Sequence, residues 1–260
     1  MVCNRLSAGN AACLPGAVQA GATVRVVAVG REEAAGDDPG PGRGTGVTVE
    51  IPSGQSVALL SRPAGVAVDL LDMVAGLRRP AFGSVLVDGL AVDRLTGAGL
   101  DRYRAGRGLV SARFPLLASR SVPANVLAAL PSGRVDAATR DRAVGLLDLT
   151  GAAGLAAPVR ALSDEQQWRV LIARALLPSP RLVLVEDPAA VLDPPSATVI
   201  WDLLTDMHKR FGFTLLVAAS RPATAIHCQR LITLAGWTVT GDELLSGDDP
   251  WTRGRIDRIG

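Results

Sequence analysis

Apolar residues along this chain follow two different rhythms. Thr23–Val29 and Val47–Ile51 alternate β-branched and polar positions, the two-residue period of a strand. Ser56–Leu60, Arg181–Val185 and Thr214–Ala218 are short, almost unbroken apolar runs, the pattern of strands buried on both faces. The helical period governs Asp69–Leu77, Leu95–Arg104, Asp164–Leu177 and Ala197–Arg210, and Pro80 and Pro178 close the first and third of these. Ser84–Val87, Asp88-Gly89 and Leu90–Val92 predict a hairpin, because Asp-Gly tolerates the positive φ angles of a tight turn. Gly30–Gly46 reads as a long loop rich in Gly, Pro and acids, Pro52-Ser53-Gly54 as a turn and Ser61–Val68 as a loop. Gly108–Ser111, Leu231–Leu234 and Trp237–Thr240 complete the strands, with a short helix near Ala223–Gln229.

Strands alternating with helices predict an α/β fold with a mostly parallel core sheet. The early strands and hairpin add a small antiparallel β lobe, and the helical stretch at about 114–175 adds a helical lobe. Residues 1–21 read as a flexible lead, 22–240 as one domain and 241–260 as a polar, peripheral tail. The 260-residue chain carries 27 basic and 25 acidic residues, a balance that argues against a nucleic-acid partner. Cys3, Cys13 and Cys228 lack metal-ligand spacing, as do His208 and His227, and such usage fits a reducing compartment. No apolar run approaches the ~20 residues that span a bilayer, and Met1–Gly30 lacks a signal-peptide layout, so a cytoplasmic protein is expected.

The most specific segment is Leu162-Ser-Asp-Glu-Gln-Gln-Trp-Arg-Val-Leu-Ile-Ala-Arg-Ala-Leu176. It resembles the signature helix LSGGQ-x-QR-x-x-x-ARAL of ABC-transporter ATPases, matching at Leu162, Ser163, Gln166, Arg169 and Ala173–Leu176. Arg181–Pro188, followed by Leu192-Asp193, resembles the Walker B strand and D-loop of the same family. The 23 residues from Ser163 to Glu186 are a spacing that fits it. The resemblance covers about residues 22–240 and implies a P-loop NTPase-like ABC cassette. Residues 78–130 look closest to cassettes of the lipoprotein-release and macrolide-efflux type.

In each motif the residues that would meet nucleotide differ from the family pattern. A phosphate loop G-x-x-x-x-G-K-[ST] uses glycines to bring N–H groups onto phosphate, a lysine for the β and γ phosphates and a hydroxyl for Mg²⁺. Here the aligned stretch is Ser61-Arg62-Pro63-Ala64-Gly65-Val66-Ala67-Val68-Asp69. Ser61 and Val66 stand at the glycine positions, Ala67 at the lysine and Val68 at the metal hydroxyl. Val66 resists any positive φ the loop needs. Asp69 puts a carboxylate at the expected helix mouth, in competition with phosphate. The only lysine of the chain is Lys209, far along the sequence. Arg62 is the remaining cation of the loop, either a substitute for the lysine or a plain surface arginine. No aromatic residue in Gly30–Gly46 offers a stacking partner for adenine.

The signature glycines are replaced by Asp164 and Glu165, so that Ser163-Asp-Glu-Gln166 reads as a capping box with acids in its first turn. The Walker B acids stand in reversed order, Glu186 then Asp187, each displaced by about one carbon–carbon bond. Catalysis loses on the order of a hundredfold per ångström of such misplacement. The Q-loop glutamine position falls near Ala112 and the switch-histidine position near Ser220.

The resemblance implies a cassette that docks on a membrane permease subunit, with a homo- or heterodimer of cassettes as a further partner, at the inner face of the membrane. Phe114, Leu116, Leu117, Val122 and Val126 either line such a docking groove or are ordinary core. The substitutions imply a pseudo-ATPase without cofactor. The alternatives are an atypical ATPase using ATP and Mg²⁺ through Glu186, Asp187 and Arg62, and a free regulatory protein.

Overall fold

In the computed structural model, described for residues 20–30, 46–130, 135–155 and 158–245, the apolar runs form the centre of one mixed sheet. Strand β3 (Ser56–Arg62) lies between β8 (Thr214–Ala219) and β9 (Arg230–Ala235), and β7 (Leu182–Glu186) and β6 (Gly108–Val110) extend the sheet beyond β8. All these neighbours pair in parallel; only β10 (Thr238–Leu244), at the far edge, pairs antiparallel with β9. A second, antiparallel sheet has the order β2 (Val47–Ile51), β1 (Val24–Gly30), β4 (Phe82–Val87), β5 (Leu90–Ala91). Asp88 and Gly89 turn the β4–β5 hairpin with φ of 52° and 76°, as the Asp-Gly pair predicts.

The two-residue period of the strands divides the core. Val183 and Val185 of β7, with Leu215 and Val217 of β8, pack with the helical lobe and α6 (Pro194–Phe211). Leu182 and Leu184, with Leu216 and Ala218, face the antiparallel sheet and α1 (Gly65–Val74). A single sheet therefore joins two cores, which explains why the middle positions of its strands β3, β7 and β8 are apolar on both faces. The helical lobe contains α3 (Val122–Leu127), α4 (Ala137–Leu149) and α5 (Asp164–Leu176), while α2 (Gly97–Ala105) packs near α1 through Tyr103. Tyr103 donates its hydroxyl proton to the Val74 carbonyl.

Three elements have a boundary three or four residues away from the sequence reading. Helix α1 begins at Gly65, not Asp69, because Val66, Ala67, Leu70, Leu71, Met73 and Val74 share one buried face whose first turn lies inside the expected loop. It stops at Val74, before Gly76 takes φ 71°. Helix α6 starts at Pro194, behind the cap Asp193, where proline's missing N–H costs nothing. Strand β10 continues to Leu244, so residues 241–244 belong to the sheet and not to a tail. The expected lead over residues 1–19, the loop over 31–45 with its missing aromatic, and the tail from 246 lie outside the described residues.

Candidate functional site

The loop between β3 and α1 closes on itself. Ser61, buried near the end of β3, places its hydroxyl over the loop and accepts the Ala67 amide at 2.9 Å. The same hydroxyl lies 2.9 Å from the Pro63 carbonyl and 3.1 Å from that of Ala64, so its proton also stays within the loop. The Val66 amide donates to the Pro63 carbonyl at 3.2 Å, and Pro63 itself has no N–H. Helix α1 has no side-chain cap of its own at Ala64. Ser61, arriving from the preceding strand, fills that role for Ala67. Ala67 is fully buried, Val68 is half-buried, and Arg62, Ala64 and Gly65 are exposed.

Two expectations at this loop are corrected. Asp69 does not stand at the helix mouth: with the helix starting at Gly65 it falls in the second turn, where it pairs with Arg78 at 3.2 Å. The first turn holds no acidic residue. Val66 lies within the helix and needs no positive φ, which outside glycine is found at Ala28, Asp88 and Ser179 among the described residues.

Beside the loop lies a cluster that the sequence reading missed. Arg113, next to the Q-loop position Ala112, spreads its guanidinium between Asp72 on α1 and Glu186 at the end of β7. Nη1 and Nη2 donate to the two Asp72 oxygens at 3.1 and 2.7 Å, while Nε and Nη2 both contact Glu186 Oε1. Asp72 is 6% exposed. Hydrogen bonds to Asp72, then to Glu186, hold the Arg113 guanidinium well above its ordinary pKa, against the opposing effect of burial. Both residues carried a readable signal. Asp72 interrupts the apolar run Leu70–Val74 on the buried side of a helix, where a charge needs a counter-charge. Arg113 adjoins an expected functional position.

Asp187, the second acid of the reversed pair, is 3% exposed and fully engaged. Oδ1 accepts the Ala189 amide at 2.9 Å, and Oδ2 accepts the Ser220 amide at 2.9 Å and the hydroxyls of Ser220 and Thr224, both at 2.5 Å. Ser220 thus lies beside the acid and donates to it. A carboxylate with both oxygens occupied in this way is poorly placed to polarise water.

At the signature the capping box is formed: the Gln166 amide donates to Ser163 Oγ at 3.2 Å, and the Ser163 amide to Gln166 Oε1 at 3.0 Å. Asp164 is exposed in the first turn, and Glu165 pairs with Arg169 at 2.9 Å. Arg174 of the same helix donates to the carbonyls of Phe114 and Pro115, at 2.5 and 3.1 Å, and its burial lowers its pKa. Asp193 caps α6 by accepting the Ser196 amide at 3.1 Å.

Of the five groove candidates, Leu116, Val122 and Val126 are core. Phe114 and Leu117 stand 39% and 44% exposed. Nearby, a cleft of about 540 Å³ runs between the start of α3 and Gly154, Leu155, Pro158 and Arg160, with Arg120, Ser121 and Pro123 on the α3 side. His208 hydrogen-bonds the Gly54 carbonyl, His227 stacks on Trp201, and burial pushes the Cys228 thiol up to about 12. Cys3 and Cys13 lie outside the described residues. Among the described residues no group of three or more His, Cys, Asp or Glu side chains is placed to hold a metal.

A parallel sheet with a loop between β3 and α1, an acidic pair ending β7 and a helical lobe carrying an ARAL helix define an α/β nucleotide-cassette fold. The family model described as ABC transporter matches residues 45–190, and the chain belongs to that family. It is 32% identical over 207 residues to the phosphonates import ATP-binding protein of Rhizobium etli, spanning 75% of this chain and 74% of that protein. It is 37% identical over 174 residues to the methionine import ATP-binding protein of Thermobifida fusca, spanning 66% of this chain and 54% of that one. A dimeric ATP-binding cassette solved in a post-hydrolysis state with ADP and Pi superposes with a TM-score of 0.72 at 25% identity, over 86% of this chain and 99% of that one. Among the described residues no helix is long and apolar enough to cross a membrane.

Proposed function

We propose that this chain is an ABC-family subunit that docks on a membrane permease at its inner, cytoplasmic face and neither binds nor hydrolyses ATP by itself. The observation that carries this reading is the closed loop after β3. There Ser61 takes the Ala67 amide and Pro63 takes that of Val66, at the place where a phosphate would need free donors. A triphosphate buried there needs matched positive charge, and Ala67 supplies none. The Glu186 carboxylate, in the Walker B aspartate's place, already holds a guanidinium, and Asp187 is saturated by neutral donors. These residues do not fit a magnesium-bound triphosphate, and no hydrolytic step is assigned to them.

Docking is supported by the retained scaffold. Arg174 fixes the 114–115 backbone, and Asn125 fixes residues 117–121 through four hydrogen bonds, so Phe114 and Leu117 are presented on an ordered surface. The relatives named for phosphonates and methionine import point to a transport complex, and the solved dimer points to pairing with a second cassette, identical or not. The lipoprotein-release or macrolide-efflux type expected from residues 78–130 remains an expectation. The test is equilibrium binding of labelled ATP with Mg²⁺ to the purified chain. No saturation below about 1 mM is expected, and a dissociation constant under that value would replace this reading with that of an atypical ATPase.

A further inference from the structure

The loop from β6 into α3 is where the chain leaves the parallel sheet and enters the helical lobe. It is held from both sides. On the lobe side Arg174 of α5 binds the carbonyls of Phe114 and Pro115. On the core side Arg113 reaches Asp72 of α1 and Glu186 of β7. One nitrogen, Arg113 Nη2, contacts both carboxylates, so the two acids converge on a single cationic centre. A buried carboxylate such as Asp72 is strongly disfavoured without a counter-charge, and a second acid at its side makes the demand greater. The planar fork of an arginine meets this geometry, whereas a point charge on a flexible stem does not.

We infer that Arg113 is an internal counter-cation that ties the β6–α3 loop to the core without any ligand, so that the helical lobe keeps one setting against the sheet whatever the chain binds. The inference stands on the Arg113 contacts and goes beyond the function proposed above. Magnesium without nucleotide tests it, so tight ATP binding would sink that proposal and leave this one standing.

The experiment is hydrogen exchange on the full chain, with and without excess magnesium chloride. In the unsubstituted protein, amides 112–121 are expected to exchange at the same rate in both conditions. Arg113→Met should speed them on the order of tenfold. Arg113→Lys should fall between, because an ammonium cannot fork across both acids. If Arg113→Met does not fold, the triple variant Asp72→Asn, Arg113→Met, Glu186→Gln removes the orphaned charges and must show the same fast loop. Unchanged exchange at 112–121 in whichever of these variants folds overturns the inference. So does slowing of that segment by magnesium alone in the unsubstituted protein.

Discussion

Helices α1 and α5 both begin at places where the family pattern expects a phosphate, and both close their first turn from within, by different means. At α5 the closure is local: Ser163 and Gln166, three residues apart, satisfy each other's backbone amides at an exposed helix start. At α1 the closure is tertiary: the helix has no cap of its own, and a hydroxyl buried at the end of β3 reaches the sixth residue along. Alongside it, Arg113 from another part of the chain neutralises the acids of α1 and β7. A self-satisfied helix start can thus be written into four residues or assembled by the fold. The second kind should be the more costly to disturb, because its groups are buried.

The sharpest attack on this comparison is to ask what holds α1 in place. Leu71→Ala, at a fully buried position of α1, should cost about 3 kcal/mol in urea unfolding. A loss under about 1 kcal/mol would mean that burial does not anchor α1. Next, Arg113→Met should cost about 2 kcal/mol. That is less than breaking a fully buried pair, because the arginine side chain is 41% exposed. Ser61→Ala leaves a buried amide without its acceptor and should cost about 1.5 kcal/mol. Ser163→Ala, at an exposed cap, should cost about 1 kcal/mol. Denaturation of the last two side by side tests the ranking directly, and a larger loss at Ser163 than at Ser61 would reverse it.

The smallest effect concerns pH and a third helix start. Asp193 caps α6 with a carboxylate whose pKa lies below its ordinary 3.8, because the Ser196 backbone and side-chain hydrogen bonds favour the anion. A carboxyl depressed on folding stabilises above its unfolded value and loses that contribution as pH falls through the folded one. The Ser163 hydroxyl does not titrate. Exchange of the Ser196 amide, corrected for intrinsic rate, should therefore rise on acidification below 3.8, while that of Gln166 holds steady. Parallel behaviour of the two amides would show that the carboxylate cap is not what titrates.

The elements most legible in advance share a property: their signal is local and repetitive. The apolar runs of β3, β7 and β8, the Asp-Gly hairpin and the Ser163–Gln166 box each follow from contacts within a few residues. The misplaced start of α1 shows the limit. Ser61–Val68 reads as a loop, yet burial of Val66 and Ala67 against the strands starts the helix at Gly65. Asp69 then moved from guardian of a helix mouth to partner of Arg78, a change of role caused by four residues of helix. The groove candidates divided for the same reason: five apolar residues in one segment have similar hydropathy, and only packing tells Val126 from Leu117.

By itself the sequence determined the family, the strand-and-helix order, the missing lysine and the capped signature helix, because each depends on residue identity at fixed short spacing. Only the tertiary structure decided that Ser61 occupies the loop's own amide, that Asp187 is spent on Ser220 and Thr224, and that Arg113 sits between Asp72 and Glu186. The last two join groups from distant parts of the chain, and the first depends on how the β3–α1 loop folds back on Ser61. Their strength comes from burial and geometry, which no local pattern of residues encodes.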